Sequence, residues 1–256
     1  MAVLKKRIDQ LLVERGMAES RHKAQALLLA GRILVGGQKV EKPGQRVDVD
    51  AAIRIIGALP FVSRAGAKLQ GALESFGITA AGRVCADLGA STGGFADCLI
   101  QHGARQVHAF DVGKGQLAWK LRADPRVVIH DAFNVRSIAV HDLPEEISLV
   151  TVDLSFISLT KVLAPLREAL RGRMGTTPVD IILLVKPQFE VGKGQVGKGG
   201  IVREPDKRVA ALGMVTAFAV STGFQLAGTM PSPVHGSKGN LEFLVHLRLL
   251  PDLIFP

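Results

Sequence analysis

Only two cysteines occur in the 256 residues, Cys85 and Cys98, and they form no Cys-x-x-Cys pattern. Set in apolar runs, both read as small core residues. The seven histidines include no His-Glu-x-x-His and no other ligand spacing, so no metal site is expected. No stretch reaches the roughly 18 apolar residues of a membrane span. Lys5, Lys6, Arg7 and Asp9 interrupt the apolar segment that a signal peptide would need. The expectation is a cytoplasmic protein with no membrane partner.

Apolar residues, by contrast, make up 47% of the chain, enough for a packed core and too many for a disordered polymer. The formal net charge is +9, which points to an anionic partner. Nucleic acid fits better than a lipid surface, because no stretch resembles an amphipathic lipid-facing helix. Residues 1–64 hold 12 Lys/Arg against 6 Asp/Glu. A basic module therefore precedes a nearly neutral one, with the division expected as 1–59, a linker at 60–65 around Pro60, and 66–256.

In the larger module, Val84-Cys-Ala-Asp-Leu-Gly-Ala-Ser-Thr-Gly-Gly-Phe95 reads as a strand, a tight turn and a helix start. Missing side chains at Gly89, Gly93 and Gly94 let a ligand approach the backbone, and a helix opening near Gly93 points free amides at it. Strand patterns follow at Gln106–Asp111, Arg126–His130, Leu149–Asp153, Asp180–Lys186, Phe224–Thr229 and Leu241–Leu249, with helical patterns between most of them. Such alternation predicts an α/β fold, a doubly wound, Rossmann-like sheet of seven strands, the last pairing antiparallel at the edge.

Three ligands compete for the glycine loop. The dinucleotide fingerprint Gly-x-Gly-x-x-Gly lacks its middle glycine here. A phosphate loop fits Gly192 to Lys198, except that Gly199 stands where a metal-binding hydroxyl belongs. S-adenosylmethionine fits better: Asp87, Asp111 and Asp131 lie at the ends of successive strands, where Asp111 can accept both ribose hydroxyls and Asp131 the adenine amino group. The expected cofactor residues are Asp87, Gly89, Ser91, Thr92, Gly93, Gly94, Phe95, Asp111, Val112, Asp131 and Asp153.

In the basic module, Ile8, Leu11 and Leu12 follow helical spacing up to Gly16, and Ser20 looks like the N-cap of a second helix ending at Gly31. Arg21, His22 and Lys23 crowd positive charge into that helix's first turn, against its dipole, which suits a phosphate-binding face. Lys6-Arg-Ile-Asp-Gln-Leu-Leu12, Ala18-Glu-Ser-Arg-His-Lys-Ala24, Ala30-Gly-Arg-Ile-Leu-Val-Gly-Gly37 and Lys42-Pro-Gly44 together resemble an S4 RNA-binding domain. The resemblance implies a small α+β unit gripping structured RNA, with Arg7, Ser20, Arg21, Lys23 and Arg32 on its contact face; Arg46 and Arg64 are added as further RNA contacts. Lys193 and Lys198, in the low-complexity run Gly192–Gly200, read as a mobile basic loop over the RNA.

Methyl transfer from a sulfonium needs an aligned acceptor and a group to take its proton. The fourth strand is followed by Asp153-Leu-Ser-Phe-Ile-Ser158 rather than Asn-Pro-Pro-Tyr, and neither cysteine is placed to attack a base. A ribose 2′-hydroxyl remains, and it calls for a partly desolvated lysine beside another cation. Lys186 ends an apolar strand, with Asp153 beside it, Glu242 opening the last strand and Lys68 in the first turn of a helix after Ser63. These four resemble the Lys, Asp, Lys, Glu set of FtsJ-like RNA 2′-O-methyltransferases. Over the whole chain, Ser63-Arg-Ala-Gly-Ala-Lys-Leu69, the glycine loop, Asp111–Arg122, Val152–Leu159 and Val185–Glu190 resemble the TlyA-type family, which implies 2′-O-methylation of cytidine in ribosomal RNA. Lys114 stands where that family commonly has a tyrosine. On this reading Lys186 is the base, Asp153 orients it, and Lys68 and Glu242 fix the ribose. The rival readings are a catalytically silent ribosome-assembly factor and a membrane-active haemolysin, a name that some family members carry.

Overall fold

The computed structural model describes residues 4–57, 60–172, 177–192 and 194–251. The chain divides into a small unit, Met1–Pro60, and a large unit, Phe61–Pro256.

The small unit packs two helices on short strands. Strand β1 (Lys5–Arg7) leads into α1 (Ile8–Glu14), α2 (Arg21–Leu29), β2 (Ile33–Val35), β3 (Gln38–Val40), β4 (Arg46–Asp48) and β5 (Ile53–Ile55). β3, β2 and β5 form one antiparallel sheet, and β1 pairs with β4. Ser20 caps α2 by accepting from the Lys23 amide at 3.2 Å, and Gly16 leaves α1 at φ 69°, the left-handed exit that glycine permits. Ile8, Leu12, Ala24, Leu28 and Ile33 close the core. β1 and β3, both largely polar, carry no apolar alternation, so only pairing within the folded unit makes them strands.

The large unit begins with α3 (Ala65–Phe76), β6 (Val84–Leu88), α4 (Gly94–Gln101), β7 (Gln106–Phe110), α5 (Trp119–Arg122), β8 (Val127–His130) and β9 (Ile147–Val152). It continues with α6 (Thr160–Arg171), β10 (Val179–Val185), α7 (Pro187–Glu190), α8 (Pro205–Ser221), β11 (Gln225–Pro231) and β12 (Phe243–Leu249). The seven strands order as β11-β12-β10-β9-β6-β7-β8. β12 runs antiparallel as expected, but it is not the edge: it inserts between β10 and β11, and β11 takes the outside position. The burial pattern explains the exchange. β12 is almost wholly buried and β11 mostly exposed. Helices α3 and α4 cover one face of the sheet through Leu69, Leu73 and Leu99, while α6 and α8 cover the other through Leu163, Leu166 and Val215. Both cysteines are free and buried, Cys98 on α4 and Cys85 on β6.

Residues 61–65, expected as linker, are packed into the large unit. Phe61 is buried so closely that a Cβ on Gly66 would fall 2.3 Å from its ring, and the Val62 amide donates to Asp97 at 2.7 Å. Among the described residues no helix is long and apolar enough to cross a membrane.

Leu166 is fully buried between α6 and the sheet. Leu166→Ala should destabilise the large unit by about 2–5 kcal/mol, read as a lower urea midpoint with little change in slope.

Candidate active site

Register brings the strand ends together. Leu88 of β6 stands opposite Phe110 of β7 and Val152 of β9, so the next residues, Gly89, Asp111 and Asp153, meet at the carboxyl edge of the sheet, where open α/β folds bind ligands. Gly89 has φ +90°, and a Cβ there would meet the Asp153 carbonyl oxygen at 2.4 Å. The loop can cross β9 only without a side chain. Gly93, at φ +92°, makes a second close approach, to Leu117 and Leu121, and caps α4.

Asp87 does not face the cleft. It is fully buried and accepts from the Ala96 amide at 3.0 Å and from Thr151 Oγ1 at 2.9 Å. It braces the first turn of α4 against β9. Burial raises its pKa to about 7, with Asp153 and Asp111 adding to the rise and the bonds from Thr151 and Ala96 opposing it. Phe95 is likewise a core side chain, 2% exposed. Ser91 and Thr92 are placed differently on the loop: Ser91 is exposed, at φ 48°, and Thr92 sits beside it, accepting from the Ala118 amide through its carbonyl at 3.1 Å.

A cleft of about 1170 Å³ opens beside the loop, lined among others by Gly89, Ser91, Asp111, Val112, Phe133 and Asp153. The Asp111 carboxylate accepts from the Ser91 and Gly113 amides, each at 2.7 Å, which locks the two loops around one acid. Val112 is exposed at the rim. Asp131 is used differently from the expectation. It accepts from the Gly115 amide at 3.0 Å and from Arg122 at 3.1 Å; those partners, the amide foremost, hold its pKa below the usual carboxylate value. It shapes the loop after Asp111, and Phe133 and Asn134 line the cleft in its place.

The four expected catalytic residues form two ion pairs. Lys186 Nζ lies 2.6 Å from Asp153 Oδ1 and donates to Ser155 Oγ at 2.9 Å. The Asp153 contact is close but off the hydrogen-bond line, and Oδ1 has no directed partner. This pair, with Ser155, lines a pocket of about 160 Å³ against the glycine loop, and Ser63 and Ala65 close it. Lys68 pairs instead with Glu242 at 2.5 Å, with side chains only 9% and 2% exposed; Gln188 of α7 adds a bond to Glu242 at 3.2 Å. Lys68 thus tethers α3 to the start of β12, and the cation expected beside Lys186 is engaged elsewhere.

The sequence pattern does not single out Ser155, Gln188 or Glu190. Glu190 is buried and accepts from Ser158 Oγ at 2.6 Å and the Leu159 amide at 2.9 Å. It pins the loop after β9 to α7, and its burial pushes its pKa up against those bonds. On that pinned loop Phe156 is 90% exposed at φ 64°, with its ring 5.0 Å from that of Phe189. A phenylalanine between two serines, in Ser155-Phe-Ile-Ser158, is the signal in the chain that marks this loop.

Of the expected RNA contacts, Arg7 and Arg21 share Asp9, and Lys23 is exposed. Ser20 is occupied as a helix cap. Arg32 holds the carbonyls of Ile56 and Gly57, and Arg46 donates to the Lys5 carbonyl at 3.1 Å. Arg64 is exposed on the large unit. Lys193 lies outside the described residues. Lys198 is exposed, and the end of its run is tied to Asn240, which accepts from the Val202 amide at 3.1 Å and donates to the Gly200 carbonyl at 2.9 Å.

A glycine loop crossing a strand end, an acid following the neighbouring strand and a large cleft beside them form the kind of nucleoside-binding site that open α/β sheets build at their carboxyl edge. The FtsJ-like methyltransferase model matches residues 61–249 and the S4 domain model residues 6–53. The chain belongs to the FtsJ-like methyltransferase family, with an S4 domain ahead of the catalytic unit. It is 45% identical to the 16S/23S rRNA (cytidine-2′-O)-methyltransferase TlyA of Mycobacterium tuberculosis, over 96% of this chain and 91% of that one. Hemolysin A of Brachyspira hyodysenteriae is 40% identical, over 94% and 98%. A hemolysin-named structure from Streptococcus thermophilus superposes with a TM-score of 0.69 at 39% identity, covering 98% of this chain and 92% of that one.

The residues present fit S-adenosylmethionine, the methyl donor of this enzyme class. Gly89 leaves room that a Cβ would fill, and Asp111 keeps acceptor capacity toward the cleft beyond its two amides. Gly89, Ser91, Asp111 and Val112 would hold the donor.

Because Asp87 titrates near 7 when folded and near 3.8 otherwise, the native state holds the extra proton between those values. Stability therefore falls as pH rises through that window. Denaturant unfolding from about pH 4 to 7 should show this slope in the parent protein and a flatter one in Asp87→Asn.

Proposed function

We propose that the protein transfers a methyl group to the 2′-hydroxyl of ribose, of cytidine, in ribosomal RNA, with residues 1–60 docking the RNA and the unit from Phe61 onward carrying out the transfer. The observation that carries the reading is the Lys186–Asp153 pair, set at 2.6 Å against the glycine loop. Its substrate detail rests on the activity of the Mycobacterium tuberculosis relative. The partner is then the ribosome or its precursors, and the compartment is the cytoplasm where they lie.

Bound S-adenosylmethionine supplies an activated methyl group on a sulfonium centre. Lys186, as the amine, takes the hydroxyl proton of the ribose while the oxygen acquires the methyl. Asp153 and Ser155 hold Nζ at the cleft. Neither Lys68 nor Glu242 is among the residues lining the two pockets; their pair fixes the wall behind Lys186, and Gln188 ties α7 to it. The exposed Phe156 ring suits stacking on an unpaired base. The basic residues of both units, Lys23, Arg64 and Lys198 among them, are exposed to meet the phosphates.

Lys186→Ala should lower methyl transfer to ribosomal RNA by about 10²–10⁴-fold, the range for a lost proton acceptor, while S-adenosylmethionine titration gives an unchanged affinity. Full transfer by this variant would remove Lys186 from the role of base. Mapping 2′-O-methyl groups on 16S and 23S RNA from cells with and without the gene identifies the nucleotide; no difference between the two would defeat the substrate assignment.

A further inference from the structure

Asp9 is an acid in the middle of a face read as RNA-binding, and its environment is unusual for one. It is completely buried, while the two arginines around it remain 42% and 49% exposed. Arg7 grips it with two bonds, Nε to Oδ1 at 3.0 Å and Nη2 to Oδ2 at 2.9 Å. Arg21 Nε donates to Oδ2 at 2.9 Å and Gln25 Nε2 at 3.1 Å. Four donors from β1 and α2 fill the roughly four acceptor sites of one carboxylate. Its pKa is held far below the usual value, first by Arg7 and then by Arg21 and Gln25 against the cost of burial.

The backbone fixes Asp9 independently of these bonds. The amides of Ile8 and Asp9 donate to the carbonyls of Gln45 at 2.8 Å and Pro43 at 3.3 Å, so the carboxylate is a rigid anchor rather than a follower of the arginines. Arg7 spends only its Nε and Nη2 edge on Asp9, and Arg21 only its Nε. Most of each guanidinium's five donors point away from the anchor, and planar forks held in this way suit phosphate oxygens.

We propose that Asp9 is the positioning residue of the RNA-docking face, aiming the guanidinium groups of Arg7 and Arg21 together at the phosphates of the RNA backbone. It rests on the reading of the small unit as the RNA dock. Its signature is a reversal of sign. Removing a carboxylate from a surface that binds a polyanion ordinarily tightens binding, since the net charge of the patch rises by one. Here removal releases both forks to swing, and the ordering that Asp9 supplied must be met on binding.

The test measures binding of the full-length protein to 16S and 23S rRNA transcripts as a function of salt, for the parent, Asp9→Asn, the pair Arg7→Gln/Arg21→Gln, and the triple variant. Asp9→Asn should weaken binding about tenfold despite its added positive charge, and reduce the salt slope by about 1 to 2, one unit for each phosphate no longer gripped. In methylation assays the loss should appear in KM for RNA and not in kcat. In the Arg7→Gln/Arg21→Gln background, Asp9→Asn should change affinity by less than about twofold, because Asp9 acts through those two side chains. Binding by Asp9→Asn equal to or tighter than the parent, with the arginine pair variant weakened, overturns the proposal. So does a further loss in the triple variant, which would show Asp9 acting through the fold of the unit. If the arginine pair variant binds RNA as the parent does, the docking reading itself fails and the positioning role falls with it.

Discussion

Gly89 crosses the Asp153 carbonyl at a distance that leaves no room for a side chain, and the rest of the site depends on that crossing. It is possible because β6 pairs in parallel with both β7 and β9, in a register that ends all three at one level. The glycine loop, the acid after β7 and the acid after β9 are therefore fixed relative to one another by backbone hydrogen bonds before any side chain contributes. A one-residue slip of β9 would move Asp153 to the other face of the sheet and would separate it from Lys186.

Around that frame the buried carboxylates act as fasteners. Asp87 ties α4 to β9, Glu190 ties the loop after β9 to α7, and Glu242 ties α3 and α7 to the start of β12. Each sits where a helix or loop must be held closely in its working place, and each is satisfied by two or more donors. Two of the three, Asp87 and Glu190, have raised pKa values because burial outweighs the bonds they receive. Asp9 in the small unit follows the same logic with the opposite balance: two arginines outweigh its burial.

Asp153 and Ser155 line both clefts, and Lys186, held by that pair, lines the smaller one. The separation of the four expected catalytic residues into an accessible pair and a buried pair divides the labour. Under the proposed methyl transfer, the first pair meets the ribose and the second holds the wall from which it works.

Short-range features were legible in the chain itself. The glycine loop, the Ser20 cap, the exit at Gly16 and the alternation of strands and helices depend on each residue's own conformational range and on neighbours a few positions away, and the S4 and FtsJ-like strings kept their order. The ends of strands β6, β7, β9 and β10 were predictable for the same reason, and with them the positions of Asp111, Asp153 and Lys186. Where side chains point and whom they meet was decided only by the tertiary structure. Asp87 and Asp131 both lie at the carboxyl ends of strands, one just inside β6 and one just past β8, yet one turns into the core and the other onto Arg122, because the pleat and the following loop set their direction. Lys68 meets Glu242 across 174 positions of sequence, and β12 slips inside β11 because burying its apolar faces outweighs chain order. Such pairings arise from packing between distant segments, which no local pattern encodes.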